Sequence, residues 1–320
     1  MRLYFQILLA SLILLSSCKN SIPTNIKTTN SDVETRNLDH FKIDEEQQIL
    51  HLKHLSSEQF EGRATGHKGG LLARDYIAKE FKAIGLLPYN DSYTQSFKFN
   101  GKSHHKSPNT TMAHNVLGLI RGTKKSNKFI VIGAHYDHLG VINGKVYNGA
   151  DDNASGTAAL FSLAKYFVAN PPKHTIIFAA WDAEELGLQG ARHFLNEFNL
   201  PKENIVVNIN IDMIGRNKDN ELYICGTNHY KFLKKIIHDK VHSDVIKVRY
   251  GHDGADNKDD WTFASDHGPF HQKGIPFLYF GVEDHPDYHK ETDEFESIQQ
   301  AFYLEATKIV LQATLAIDKD

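Results

Sequence analysis

The chain has 320 residues, enough for one large domain or two modest ones. Hydrophobic residues make up 41% and charged residues 23%, the proportions of an ordinary globular protein. A formal charge of −3 gives no electrostatic basis for a nucleic-acid partner, and 19 histidines against 2 cysteines mean that any metal site is built from imidazole and carboxylate.

Met1-Arg2 supply a short positive start and Leu3 to Leu15 an apolar run, too short to span a bilayer comfortably as a permanent helix. The run closes in Leu15-Ser16-Ser17-Cys18, which resembles the lipobox of bacterial lipoproteins. Residues 1–17 are therefore expected to be a lipoprotein signal peptide, with Cys18 carrying the lipid that holds the protein to a membrane. An ordinary cleaved leader with an incidental cysteine is the alternative. With Cys18 lipidated, Cys225 is the one thiol left and no intrachain disulfide forms. Residues 18–42 are rich in Asn, Thr, Ser and Lys and read as a flexible tether, placing the protein in the periplasm or at the cell surface.

Periodicity begins near Asp44, where Ile49, Leu52 and Leu55 share one helix face. A glycine-containing break, Glu61-Gly62-Arg63-Ala64-Thr65-Gly66, precedes a longer amphipathic helix from Gly70 to Ile84, closed by Gly85. Strands are predicted at Tyr93–Phe99, Asn115–Ile120, Phe129–Ala134, Thr175–Ala180, Ile205–Ile211, Leu222–Ile224 and Phe277–Phe280. Helices are predicted at Ala154–Ala169, Gly187–Phe198, Tyr230–Val241 and Ile298–Ala316. Alternation of this kind predicts a single α/β domain over residues 43–320, with a central, mostly parallel mixed sheet flanked by helices.

Open α/β sheets bind ligands outside the carboxyl ends of their strands. Four predicted strands run into His135-Tyr136-Asp137-His138, Asp182-Ala183-Glu184-Glu185, Asp212-Met213 and Glu283-Asp284-His285, the last continuing to Tyr288-His289. A fifth acidic group, Asp151-Asp152-Asn153, opens the helix at Ala154, where Asp151 is either a bridging metal ligand or a helix cap. Zinc takes imidazole nitrogen and carboxylate oxygen, and two ions about 3.5–4 Å apart share a carboxylate and a water. In His135-x-Asp137 the aspartate is placed to accept a hydrogen bond from the imidazole. Glu184-Glu185 suggests one ligand and one general base, or simply an acidic helix start.

Gly133-Ala134-His135-Tyr136-Asp137-His138-Leu139-Gly140, Asn148-Gly149-Ala150-Asp151-Asp152-Asn153-Ala154-Ser155-Gly156, Glu184-Glu185-Leu186-Gly187, Asn210-Ile211-Asp212-Met213, Ser265-Asp266-His267 and Tyr288-His289 together resemble the M28 family of zinc peptidases. The resemblance runs from the Glu61-Gly62-Arg63 break to the last helix. It implies two zinc ions per chain bridged by Asp151, one completed by His135 and Asp212 and the other by Glu185 and His289. It further implies that Glu184 is the general base, that Asp137 orients His135, and that the Asp151–Asp152 peptide is cis. Tyr288 takes the position that polarises the scissile carbonyl, and Asp266 a supporting position behind the ligands. The Gly101–Met112 stretch leaves no room for the accessory domain that some members insert there.

His138, His267 and His285 are expected to serve the cleft or the scaffold, and the acidic Asp253–Asp260 segment to be a solvated loop rather than a calcium site. The function so implied is a metallo-aminopeptidase acting on peptide substrates. A dipeptidase, a carboxypeptidase and a one-zinc glutaminyl-cyclase-like acyltransferase are the alternatives on the same fold.

Overall fold

A computed structural model describes residues 44–99, 111–124, 127–198 and 201–320. The expected leader, the tether and Cys18 lie outside the described residues, as does most of the 101–112 stretch. Among the described residues no helix is long and apolar enough to cross a membrane. The segment Phe41–Asp320 forms one structural unit.

Two helices come first, α1 (Glu45–Leu55) and α2 (Lys68–Ile84). The Asp44 carboxylate caps α1 by accepting the Gln47 N–H at 3.2 Å, and Gly85 ends α2 with a left-handed φ of 98°. The strands β1 (Leu87–Pro88), β2 (Thr94–Phe99), β3 (Thr111–Ile120), β4 (Phe129–His135), β5 (Gly140–Ile142) and β6 (Lys145–Tyr147) follow, then α3 (Gly156–Ala169) and β7 (Thr175–Trp181). The chain continues through α4 (Gln189–Glu197), β8 (Ile205–Ile211), β9 (Glu221–Cys225), α5 (Lys231–Ile237) and β10 (Lys247–Tyr250). It ends with α6 (His267–Gln272), β11 (Phe277–Gly281) and α7 (Gln300–Lys319).

Nine strands form one sheet in the order β1-β3-β7-β4-β8-β11-β9-β10, with β2 also paired to β3; β5 and β6 make a separate hairpin. The central strands β7, β4, β8 and β11 are mutually parallel. On either side β3 and β9 run antiparallel to them, so the sheet is mixed, with a parallel centre rather than parallel throughout. Strands β4 and β7 are buried at every position after their first, which is why they read as continuous apolar runs. On one face Val131, Ile177, Ala179 and Trp181 pack with Phe194 of α4 and Phe270 of α6. Each such aromatic contributes about 1.5–3 kcal/mol by burial. The other face carries α3 against β4 and β7, backed by α1, α2 and α7.

The predicted α/β domain is thus present, with four elements that the sequence pattern did not announce. These are β1, the β5–β6 hairpin, β10 and the short α6. A second difference bears on the site: α3 begins at Gly156 rather than Ala154, and 150–155 form a wide irregular turn in which the Ala154 N–H reaches back to Gly149 O at 3.2 Å.

Candidate metal centre

All the chemistry-bearing segments meet at the carboxyl ends of β7, β4, β8 and β11. Arg63, from the glycine-containing break before α2, holds the floor together. Its fully buried guanidinium donates from Nε to Tyr136 O at 2.7 Å, from Nη1 to Leu55 O at 2.8 Å and Asn148 O at 2.6 Å, and from Nη2 to Gly149 O at 2.8 Å. Gly62 beside it has φ +65°, and a Cβ there would strike the Tyr147 carbonyl.

The wide turn after Gly149 decides which aspartate faces the site. Asp293 accepts the Asp151 N–H at 3.1 Å and the Asp152 N–H at 3.0 Å, fixing the backbone of both. The Asp151 carboxylate is fully buried and already satisfied: Oδ1 accepts from Gly215 N at 2.6 Å and from Ser155 Oγ at 3.3 Å, and Oδ2 meets His285 Nε2 at 3.1 Å. Asp152 points the other way. Its Oδ1 lies 3.3 Å from His135 Nε2, and its Oδ2 lies 3.1 Å from His289 Nε2 and 3.6 Å from His138 Nδ1. The carboxylate that faces both His135 and His289 is therefore that of Asp152 rather than Asp151, and the cis peptide is Asp152–Asn153 rather than the expected Asp151–Asp152.

Two donor sets share that carboxylate. In the first, His135 Nε2 is 3.2 Å from Asp212 Oδ1 as well as 3.3 Å from Asp152. In the second, His289 Nε2 is 3.4 Å from Glu185 Oε2 and 3.1 Å from Asp152. Ligands about 2.0–2.1 Å from one tetrahedral ion stand roughly 3.3 Å apart, so these spacings suit a zinc ion in each set. The donor chemistry agrees. His135 Nδ1 donates to Asp137 O at 3.0 Å, which leaves a lone pair on Nε2 facing two carboxylates, an arrangement that needs a cation or a proton between the three atoms. Burial opposes a charged His135 ring, yet Asp212 and Glu184 outweigh it and hold the imidazole well above its ordinary range. Burial likewise opposes charge on Glu185, but its contacts with His138 and His289 hold it down at about 2.

Asp137 acts differently from expectation. Its carboxylate stands 3.8 Å from His135 Nδ1, so the histidine is oriented by the Asp137 carbonyl. The carboxylate instead accepts the backbone N–H of Glu184 at 3.0 Å and of Glu185 at 3.3 Å, with Thr65 Oγ1 at 3.2 Å. It positions the Glu184-Glu185 turn. Glu184 then lines the pocket with no hydrogen bond to its carboxylate among the described residues, and burial followed by the neighbouring Glu185 pushes its carboxyl well above the usual range.

A model of peptidase family M28 matches residues 115–314. The chain belongs to that family. Aminopeptidase YwaD of Bacillus subtilis strain 168 is 30% identical over 217 residues, covering 63% of this chain and 44% of that protein. A glutamate carboxypeptidase 2 homolog of Caenorhabditis elegans is 38% identical over 120 residues, 35% of this chain and 15% of the nematode protein. The matched stretch thus spans less than half the length of either relative. A crystal structure of a zinc aminopeptidase from Bacillus subtilis superposes with a TM-score of 0.67 at 18% identity over 87% of this chain and 96% of that one. At that identity the likeness is one of fold.

In this M28 chain Tyr288 lines the same pocket as Glu184 and stacks on the His289 ring at 3.9 Å, and burial, then the nearby Asp152, keeps its hydroxyl protonated. His267 and His285 serve the scaffold as expected: His267 bonds Trp261 O at 2.8 Å between Phe277 and Tyr279, and His285 braces Asp151. His138 lies closer to the chemistry than expected, with Nδ1 donating to Glu185 Oε1 at 2.9 Å. Asp266 is fully buried behind the ligands, and burial pushes its carboxyl up to about 8. The acidic loop ties its carboxylates to its own surroundings, Asp253 to Gly226 N at 3.1 Å and Asn228 N at 2.8 Å. Sequence reasoning missed Asp293 and the function of Arg63; the signal for the first was an acid four residues beyond His289, too common a pattern to single out.

Proposed function

We propose that this chain is a two-zinc aminopeptidase that removes the N-terminal residue of peptides. The observation that carries this reading is the Asp152 carboxylate, one oxygen of which belongs to the His135–Asp212 set and the other to the Glu185–His289 set. In each set the three residues so grouped would hold a zinc ion, Asp152 being common to both. Zinc bound there supplies a Lewis acid and a water that loses its proton near neutral pH.

The remaining work falls to side chains. Glu184, free of a competing hydrogen bond, takes the proton of the attacking water and returns it to the leaving amine. Tyr288 donates its O–H to the oxygen of the scissile carbonyl as charge develops there. Asp137 keeps Glu184 and Glu185 aimed in different directions by holding both of their backbone N–H groups. Family membership supports peptide hydrolysis, and the names of the Bacillus relative and of the superposed structure favour attack at the N-terminal end. The carboxypeptidase name of the nematode relative rests on a much shorter overlap.

The leader over residues 1–17 and Cys18 support an exported lipoprotein, tethered through residues 18–42 at a membrane surface with the catalytic unit in the periplasm or outside. The test of function is release of free amino acids from a set of aminoacyl-nitroanilides by the zinc-loaded chain, with metal analysis alongside. About two zinc ions per chain and N-terminal release are expected; Glu185→Ala is expected to lose the ion of its own set and the activity with it. Failure to cleave any member of the set, or full activity in Glu185→Ala, overturns the reading. For the anchor, a Cys18→Ala chain is expected in the soluble fraction; equal membrane recovery of both forms refutes it.

A further inference from the structure

The pocket that holds Glu184 and Tyr288 continues into a wall formed by Met213, Trp261, Tyr279 and Val282, and Asp284 stands on it. Asp284 belongs to the segment after β11 that also carries Tyr288 and His289. Its acidic and histidine neighbours along that segment are engaged within the protein. Glu283 pairs with Lys258 at 3.0 Å and with His252 at 3.4 Å, and His285 with Asp151 at 3.1 Å. Asp287 pairs with Arg216 at 2.7 Å, and His289 with Asp152 at 3.1 Å.

Asp284 alone of this run is exposed without a hydrogen bond or ion pair among the described residues. The nearby cation does not compensate it, because Lys258 is held between Glu283 and the Tyr223 hydroxyl at 2.7 Å. An uncompensated carboxylate beside aromatic walls describes its own complement. An apolar stem packs on Met213, Val282, Trp261 and Tyr279, while a positive end reaches the exposed Asp284. A neutral aliphatic side chain fills the same wall but leaves Asp284 to water.

We infer that this pocket takes the side chain of the substrate's N-terminal residue and selects lysine or arginine through Asp284. The inference rests on the aminopeptidase reading. It is tested with the zinc-loaded full chain by the ratio of kcat/KM for lysyl- over norleucyl-p-nitroanilide, two substrates that share an aliphatic stem and differ in the terminal charge. The ratio is expected to exceed one in the native protein and to fall about five- to tenfold in Asp284→Asn, with a smaller fall at high salt. Asp284→Lys is expected to depress it further. An unchanged ratio refutes the assignment, as does an equal loss on both substrates, which would give Asp284 to the α-ammonium group instead. If the native chain releases neither residue, it is the aminopeptidase reading that falls; if it releases both and the ratio ignores Asp284, only the specificity role does.

Discussion

Adjacent aspartates with opposite duties allow a sharp test, because Asp151→Asn and Asp152→Asn change the same chemistry one residue apart. In Asp151→Asn the amide oxygen keeps the Gly215 N–H now accepted at 2.6 Å, while the amide nitrogen turns toward His285. The loss is the charge assistance of a fully buried carboxylate, about 1–2 kcal/mol. In a domain of this size that lowers Tm by roughly 2–4 °C. Zinc content should be near native, since neither donor set includes Asp151. In Asp152→Asn the metal is affected as well. The metal-free protein should also lose stability, because against the opposition of burial the imidazoles of His138, His135 and His289 hold this carboxylate well below its usual range and so favour the ionised, folded form. Zinc content should fall by at least half, the stabilisation that zinc confers should largely vanish, and hydrolysis should drop below about a thousandth of native. The assays are metal analysis after dialysis, thermal melts with and without chelator, and nitroanilide turnover. Loss of zinc from Asp151→Asn with retention in Asp152→Asn refutes the assignment.

Tyr288→Phe should lower kcat by about 10²–10³ with zinc content unchanged, the signature of a donor needed in the transition state; a change in KM alone contradicts this. Arg63→Lys replaces a guanidinium that serves four carbonyls by an ammonium that reaches fewer, and should destabilise the fold by about 3–5 kcal/mol in denaturant titrations; a change under about 1 kcal/mol shows that those bonds matter little. His267 is buried and its imidazole is held down to about 3, below the 6.5 of the unfolded chain. The unfolded state therefore takes up the proton first, and this group's contribution to stability falls as pH drops from 6.5 toward 3, by about 1.4 kcal/mol per unit. In the presence of chelator, His267→Phe should show a shallower loss of stability than native between pH 6.5 and 5; parallel slopes refute the buried neutral histidine.

The parallel centre of the sheet was legible because β4 and β7 are buried on both faces and leave unbroken apolar runs. Other elements carry no such mark. Strand β10 at the sheet edge is half exposed and polar at alternate positions, and α6 spans six residues that include Gly268 and Pro269, too few for helical periodicity to show. For the site, the sequence brings His135, Glu184, Glu185, Asp212, Tyr288 and His289 to strand ends, and there the structure gathers them. What spacing does not carry is direction. Asp151 and Asp152 sit in one turn, and their orientations follow from Asp293, Gly215 and His285, all more than sixty residues away. Asp137 was legible as a partner of the site but not as the holder of the Glu184-Glu185 backbone, since a backbone N–H leaves no trace in residue identity.

The surplus of acid at the strand ends, readable from the sequence, acquires its consequence only in three dimensions. Asp137, Asp152, Asp212 and Asp266 are buried together with Asp293, and among the described residues Arg63 is the permanent cation buried with them. Burial takes even that guanidinium down to about 10, with Asp152, Asp293 and Asp137 opposing the fall. One guanidinium that spends its donors on backbone carbonyls does not neutralise five carboxyl groups. Part of the deficit is met by protons: Asp266 has neither oxygen hydrogen-bonded, and burial drives it to about 8, so near neutral pH it is largely uncharged. Asp152 goes the opposite way: burial works against its charge, but the imidazoles of His138, His135 and His289 hold it well below the usual carboxylate range. The carboxylate kept most firmly ionised is thus the one placed between both donor sets, while the one behind them is kept neutral. That gradient, set by which acids face imidazoles and which face the core, concentrates negative charge at the carboxylate that faces both donor sets, which is the electrostatic support for the proposed metal site.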